Sequence, residues 1–178
     1  MLYFLLIPNT YYPNQKLSVL SLIFIVTYLI PLLILILFKR LNIIKSYQTE
    51  SIKDRKLPVA LMVFLFYLLG NTMKNTSNLV DLSLLFYATS MGLFLVYILF
   101  YLKIKTSLHL LSLGISAGFF MVLSSNYSLS YIILIIFIIL MAGILASSRL
   151  YLKAHSKKEV YIGFFLGIAA PLIVNFIL

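Results

Sequence analysis

The chain of 178 residues contains no cysteine, no tryptophan and only four acidic residues. Without cysteine there are no disulfides, thiolate nucleophiles or zinc–thiolate sites, and four carboxylates leave almost nothing from which to build a metal cage. Charge of either sign is scarce: 10% of residues are charged, against about 25% in an ordinary soluble domain. Any chemistry must rest on His, Lys and Arg.

What fills the space is apolar. Hydrophobic residues make up 63% of the chain and the mean hydropathy is +1.10. Several windows exceed the ~18 apolar residues that signal a membrane span. Strand-like alternation is missing, and lipid requires every backbone group to be satisfied within its own segment, so the spans are expected to be helices. They are read at 17–38, 57–73, 82–102, 107–124, 129–147 and 158–177, an all-α, six-transmembrane-helix bundle in one domain over 17–178. Turn and polar signals such as "KNTSN" and "SSNYS" separate the runs. Residues 1–16 begin with an apolar stretch too short to span and carry no signal-peptide pattern. They read as an interfacial segment or as the tail of a span removed by a late start. Gly114 with Gly118, and Gly163 with Gly167, form small-xxx-small pairs suited to close helix packing.

The net charge is +10, but its carriers are scattered over short loops, without a soluble domain to present them to nucleic acid. Membrane lipids and phosphates at the bilayer surface are the expected partners, and nucleic acid is not. With six spans, the first, third and fifth loops share a face, and twelve of the fourteen Lys and Arg residues fall there. The positive-inside rule explains many of them, such as Lys39, Arg40, Lys157 and Lys158. Arg149 differs because it sits at the end of a span, where charge is costly and is usually functional.

Six residues beyond Arg149 comes His155, and four beyond that Glu159. On a helix a spacing of four puts two side chains on one face. A carboxylate there can fix the tautomer of the imidazole and leave its other nitrogen nucleophilic, the orienting logic of a catalytic triad. Arg149 is placed to hold an anion under attack.

These residues resemble a known family. "SRLYLKAHSKKE" is similar to the third signature of the type 2 phosphatidic acid phosphatase (PAP2) superfamily, with Ser148, Arg149 and His155 in register and Glu159 where the family has Asp. "TSLH" resembles the second signature, Pro-Ser-Gly-His, through Ser107 and His109; Thr106 and Leu108 replace Pro and Gly. "SIKDRKLP" stands where the first signature belongs, offering Lys53 and Arg55, and below them Lys56, ahead of Pro58, without the family's Arg-Pro pair. The resemblance covers about residues 50 to 170, and both histidines of the chain fall on positions the family uses.

The resemblance implies phosphoryl transfer without metal or other cofactor. His155 would be the nucleophile, Glu159 its orienting group and His109 the proton donor to the leaving oxygen. Arg149, Lys53, Arg55, Ser107 and Ser148 would bind the phosphate. The substrate would be a lipid phosphate or diphosphate such as undecaprenyl diphosphate, phosphatidylglycerol phosphate, phosphatidic acid or lipid A, in a bacterial inner membrane. Charge counting puts the site face in the cytoplasm, whereas family precedent favours the periplasmic face, toward which the reading leans. Two rivals stand beside the enzyme: a degenerate relative that binds lipid or serves in an assembly, suggested by the worn first and second signatures, and a small transporter, for which Pro31 and Asp81 are the only hints.

Overall fold

The computed structural model describes residues 13–42, 51–76 and 79–178, and among them there is no strand. Six helices are long and apolar enough to cross a membrane, so the chain is an all-α integral membrane protein. The first, α1, is α-helical over Pro13–Phe24, π-helical over Ile25–Leu29 and α-helical again over Ile30–Arg40. Then follow α2 (Ile52–Lys74), α3 (Val80–Tyr101), α4 (Leu108–Tyr127), α5 (Ile132–Tyr151) and α6 (Lys157–Ile177). The start of the expected interfacial segment, 1–12, lies outside the described residues, and from Pro13 the chain is already helical.

Two compact units divide the chain, Met1–Pro58 and Val59–Leu178. In the first, the π-helical stretch has a local cause: Pro31 lacks an N–H and its ring crowds the carbonyl one turn earlier. Widening the preceding turn relieves this, and the Ile30 N–H reaches back to the Ile25 carbonyl. Thr27 turns its hydroxyl onto the Ile23 carbonyl at 2.8 Å, so no donor is left over in lipid. Helix α2 begins five residues before the expected 57, because Ser51 caps it by accepting the Asp54 N–H at 3.1 Å. Lys53, Arg55 and Lys56 therefore stand on the first turns of a helix and not in a loop.

The core of the second unit is the pairing of α4 with α6, flanked by α3 on one side and α5 on the other. Both small-xxx-small pairs meet in this single interface. A Cβ on Gly118 would lie 2.6 Å from the Ile168 carbonyl oxygen, and one on Gly114 would strike that of Phe164. Without a hydrophobic drive between helices in lipid, such close backbone approach supplies the packing. Ala117, Phe119 and Leu123 of α4 are buried around it. Helix α2 is tied to α3 where the buried Ser90 donates its hydroxyl to the Val63 carbonyl at 2.8 Å. Helix α5 keeps most of its surface outward, with Ile133, Phe137 and Leu140 exposed as lipid contact requires.

At the end of the unit formed by the α3 and α6 termini near Asp81 and Asn175, polar side chains pair across helices. Tyr127 donates to Asp81 at 2.9 Å and Asn126 to Asn175 at 3.0 Å. Asp81 thus serves the first turn of α3, where a carboxylate suits the helix dipole.

Candidate functional site

The other end of the unit is built by two helix stops of one kind. After α3, Lys103 adopts φ 59°, its N–H bonds the Phe100 carbonyl, and the Ile104 N–H bonds that of Leu99. After α5, Lys153 adopts φ 51° and repeats the pattern, with its N–H on Leu150 and the Ala154 N–H on Arg149. Each is a Schellman motif with lysine in the left-handed place usually held by glycine. Helix α5 therefore continues past the expected end at 147, and Arg149 sits in its last turn, where a cation suits the negative helix end.

Helix α6 begins directly afterwards. Ser156 is its N-cap, accepting the Glu159 N–H at 3.4 Å, the first half of a capping box. In that motif the glutamate would turn back to the cap's own N–H. Here it goes to the neighbouring side chain: Glu159 Oε2 lies 2.7 Å from His155 Nδ1. One residue, His155, separates the Schellman motif of α5 from the cap of α6, so both helix ends fix its backbone. The expectation that His155 and Glu159 share a helix face is corrected: His155 precedes the helix, and the pair closes across the N-cap.

The side chains of His155 and Glu159 are 5% and 22% exposed. With a carboxylate partner, a neutral ring carries its proton on Nδ1 and leaves the lone pair on Nε2. Limited solvent around the pair strengthens the interaction. Beneath it lies an apolar platform drawn from three helices: Leu110 of α4, Ala142 of α5 and Val160 of α6 are buried together, with Leu150 and Phe164 packed against them. Each of His109, Arg149 and Glu159 adjoins a member of this platform in sequence, so their backbones are held on well-packed turns.

The "TSLH" segment reaches the same place by its backbone. The Ser107 N–H donates to the Glu159 carbonyl at 3.2 Å. Gly163, one turn further along α6, makes room for the Ser107 carbonyl oxygen, which a Cβ would approach to 2.6 Å. Ser107 is the N-cap of α4 but caps nothing with its side chain. Its hydroxyl and that of Thr106 are fully buried without a hydrogen-bond partner among the described residues. Buried hydroxyls of this kind are rare and call for an explanation.

The remaining expected site residues are distributed as follows. His109 is exposed in the first turn of α4. Arg149 is half-buried, and its guanidinium has no hydrogen-bond or ion-pair partner among the described residues. Ser148 is exposed and donates its hydroxyl to the Ile144 carbonyl at 3.0 Å, a bond internal to α5. Lys53 and Arg55 belong to the first unit, on the opening turns of α2. No cluster of three or more metal-ligating side chains occurs among the described residues.

Three contributors were missed in the sequence. Ser156 was legible, since "SKKE" is a capping-box pattern. Gly163 was read only as a packing residue, and nothing local in the sequence shows that its partner is the Ser107 backbone. Thr106 was noted only as a departure from a motif. Comparison with known protein families, with curated proteins and with solved structures finds no match to this chain.

Proposed function

We propose that this protein is a membrane phosphatase of lipid phosphates or diphosphates, working through a phosphohistidine at His155. The observation that carries the reading is the 2.7 Å contact from Glu159 to His155 Nδ1, which turns Nε2 into the free nucleophilic nitrogen. The Nε2 lone pair attacks phosphorus, the bond from phosphorus to the lipid oxygen breaks, and His109 gives that oxygen a proton. Glu159 stabilises the imidazolium that develops. Water then attacks phosphorus, His109 takes up its proton, and the P–N bond breaks to release phosphate and restore His155. Arg149 neutralises the equatorial oxygens; positioning and electrostatics supply most of the rate. The partnerless hydroxyls of Thr106 and Ser107 offer hydrogen bonds to an anion that enters beside them. The substrate keeps its tail in the bilayer, as undecaprenyl diphosphate, phosphatidylglycerol phosphate, phosphatidic acid and lipid A all would, and the membrane is the bacterial inner membrane.

A second reading, a relative that binds lipid phosphate or serves in an assembly without hydrolysing anything, is favoured by one observation. Ser107 is wholly enclosed and its N–H is already bound to the Glu159 carbonyl. The two readings separate in one experiment: phosphate release from a panel of lipid phosphates by detergent-purified wild type and His155→Ala, with EDTA present. Release by wild type alone supports the enzyme. Silence from both folded proteins, with lipid phosphate still retained, supports the binding relative.

A further inference from the structure

At the end of the second unit away from this site, α2, α3 and α6 frame a groove of about 420 Å³, within the roughly 300–1,000 Å³ typical of ligand sites. Val63, Tyr67 and Lys74 of α2, Tyr87 and Phe94 of α3, and Val174 of α6 line it. From Val63 to Lys74 the groove follows α2 for about 16 Å of helix, close to half of a roughly 30 Å hydrocarbon core. It therefore covers the depth of one leaflet.

Its polarity is graded along that depth. The inner end is closed chemically, because the Ser90 hydroxyl is bound to the Val63 carbonyl at 2.8 Å. Midway, the Tyr87 ring lies against α2 only because Gly70 has no side chain; a Cβ there would come within 2.9 Å of the ring. Tyr67 packs on Tyr87 with ring centroids 5.7 Å apart, making an aromatic wall. At the outer end stands Lys74, in the last turn of α2 and exposed. Tyr67 and Phe94 are exposed, so the groove opens sideways to the bilayer.

An apolar channel one leaflet deep, open to lipid, with a single cation at head-group level, matches one kind of occupant. We propose that the groove holds an acyl chain of an anionic phospholipid from the leaflet opposite the candidate site, with its phosphate at Lys74. This site is independent of the phosphatase reading, since none of its residues takes part in that chemistry.

The chain has no tryptophan, so one introduced indole reports without background. Phe94→Trp places it in the groove, and Ile133→Trp, at a position 82% exposed on α5, gives a general lipid-facing control. Each protein is reconstituted with brominated phosphatidylglycerol or brominated phosphatidylcholine, and quenching gives the relative affinity. The expected preference for phosphatidylglycerol at Phe94→Trp is about fivefold, as for one lysine facing an anionic lipid, and near one at Ile133→Trp. Adding Lys74→Gln abolishes the preference and Lys74→Arg keeps it. Met91→Trp is a second reporter should Phe94→Trp fail to fold. Equal quenching by both lipids in the groove, or a preference that survives Lys74→Gln, overturns the proposal. So does quenching at position 133 with none in the groove, which would mean that protein covers it.

Discussion

Replacing Gly167 by alanine exchanges one hydrogen for a methyl group at one of the tightest points of the second unit. The new Cβ would strike the Leu111 carbonyl oxygen and lie 2.8 Å from Gly114 Cα and from Ile115 N. All three are backbone atoms of α4, so no rotamer change can clear them. Ordinary contact begins near 3.4 Å, so α4 and α6 must part by at least about 0.6 Å at this level, and by more to clear the Leu111 oxygen. The bond from Ser107 N–H to the Glu159 carbonyl, already 3.2 Å long, lies in the same interface and is stretched toward breaking. Overpacking of this kind costs about 1–3 kcal/mol, a fall in Tm of roughly 2–12 °C for a chain of this size. Gly143→Ala is the matched control, because nothing lies within 4 Å of a Cβ there, and alanine's better helix propensity should leave stability equal or raise it by up to ~1 kcal/mol. Thermal unfolding of both in detergent, followed by circular dichroism, measures the difference. Equal Tm values for the two variants, or a more stable Gly167→Ala, would refute the claim that α4 and α6 pack through their backbones.

Three further substitutions probe the polar end. Glu159→Gln keeps a hydrogen-bond acceptor for Nδ1 but no charge for the developing imidazolium, so lipid-phosphate hydrolysis should fall by about 10²–10⁴-fold with Tm little changed; steady-state phosphate release reads it. Ser156→Ala removes the N-cap of α6 and should cost about 0.5–1 kcal/mol, the low end for a cap because its bond is long, visible as a small drop in Tm. Lys153→Gly relieves a non-glycine residue held at φ 51° and should raise stability by about 1 kcal/mol; a lower Tm would argue against the Schellman geometry after α5.

The membrane-crossing runs were legible because hydropathy over twenty residues is a strong, local signal. Their ends were not. "KDRK" reads as loop, yet it lies on the first turns of α2, since Ser51 caps the helix and long basic side chains can extend to the membrane surface. The close of α5 was missed for the opposite reason: the left-handed residue that ends it is Lys153, not the glycine a sequence reader looks for. The glycine pairs announced close packing but not their partners, which only the tertiary arrangement supplies. At the candidate site, the spacing of His155 and Glu159 was enough to anticipate their contact. That it spans an N-cap, and that the Ser107 backbone joins it through α6, depends on distant segments meeting. The groove beside Lys74 had no signature at all, because its walls come from three helices and its shape from the absent side chain of Gly70.

If His155 is the nucleophile, a covalent phosphohistidine forms during turnover and can be trapped. Wild type, His155→Ala and His109→Ala are mixed with a lipid phosphate radiolabelled at phosphorus, quenched in alkali, where phosphohistidine survives, and mapped by peptide. Alkali-stable, acid-labile label is expected on the peptide containing His155 in wild type and none in His155→Ala. Because release of phosphate needs the second proton transfer, any label that forms in His109→Ala should be slow to leave. Phosphate release by wild type without label at His155, or undiminished turnover by His155→Ala, would contradict that role of His155.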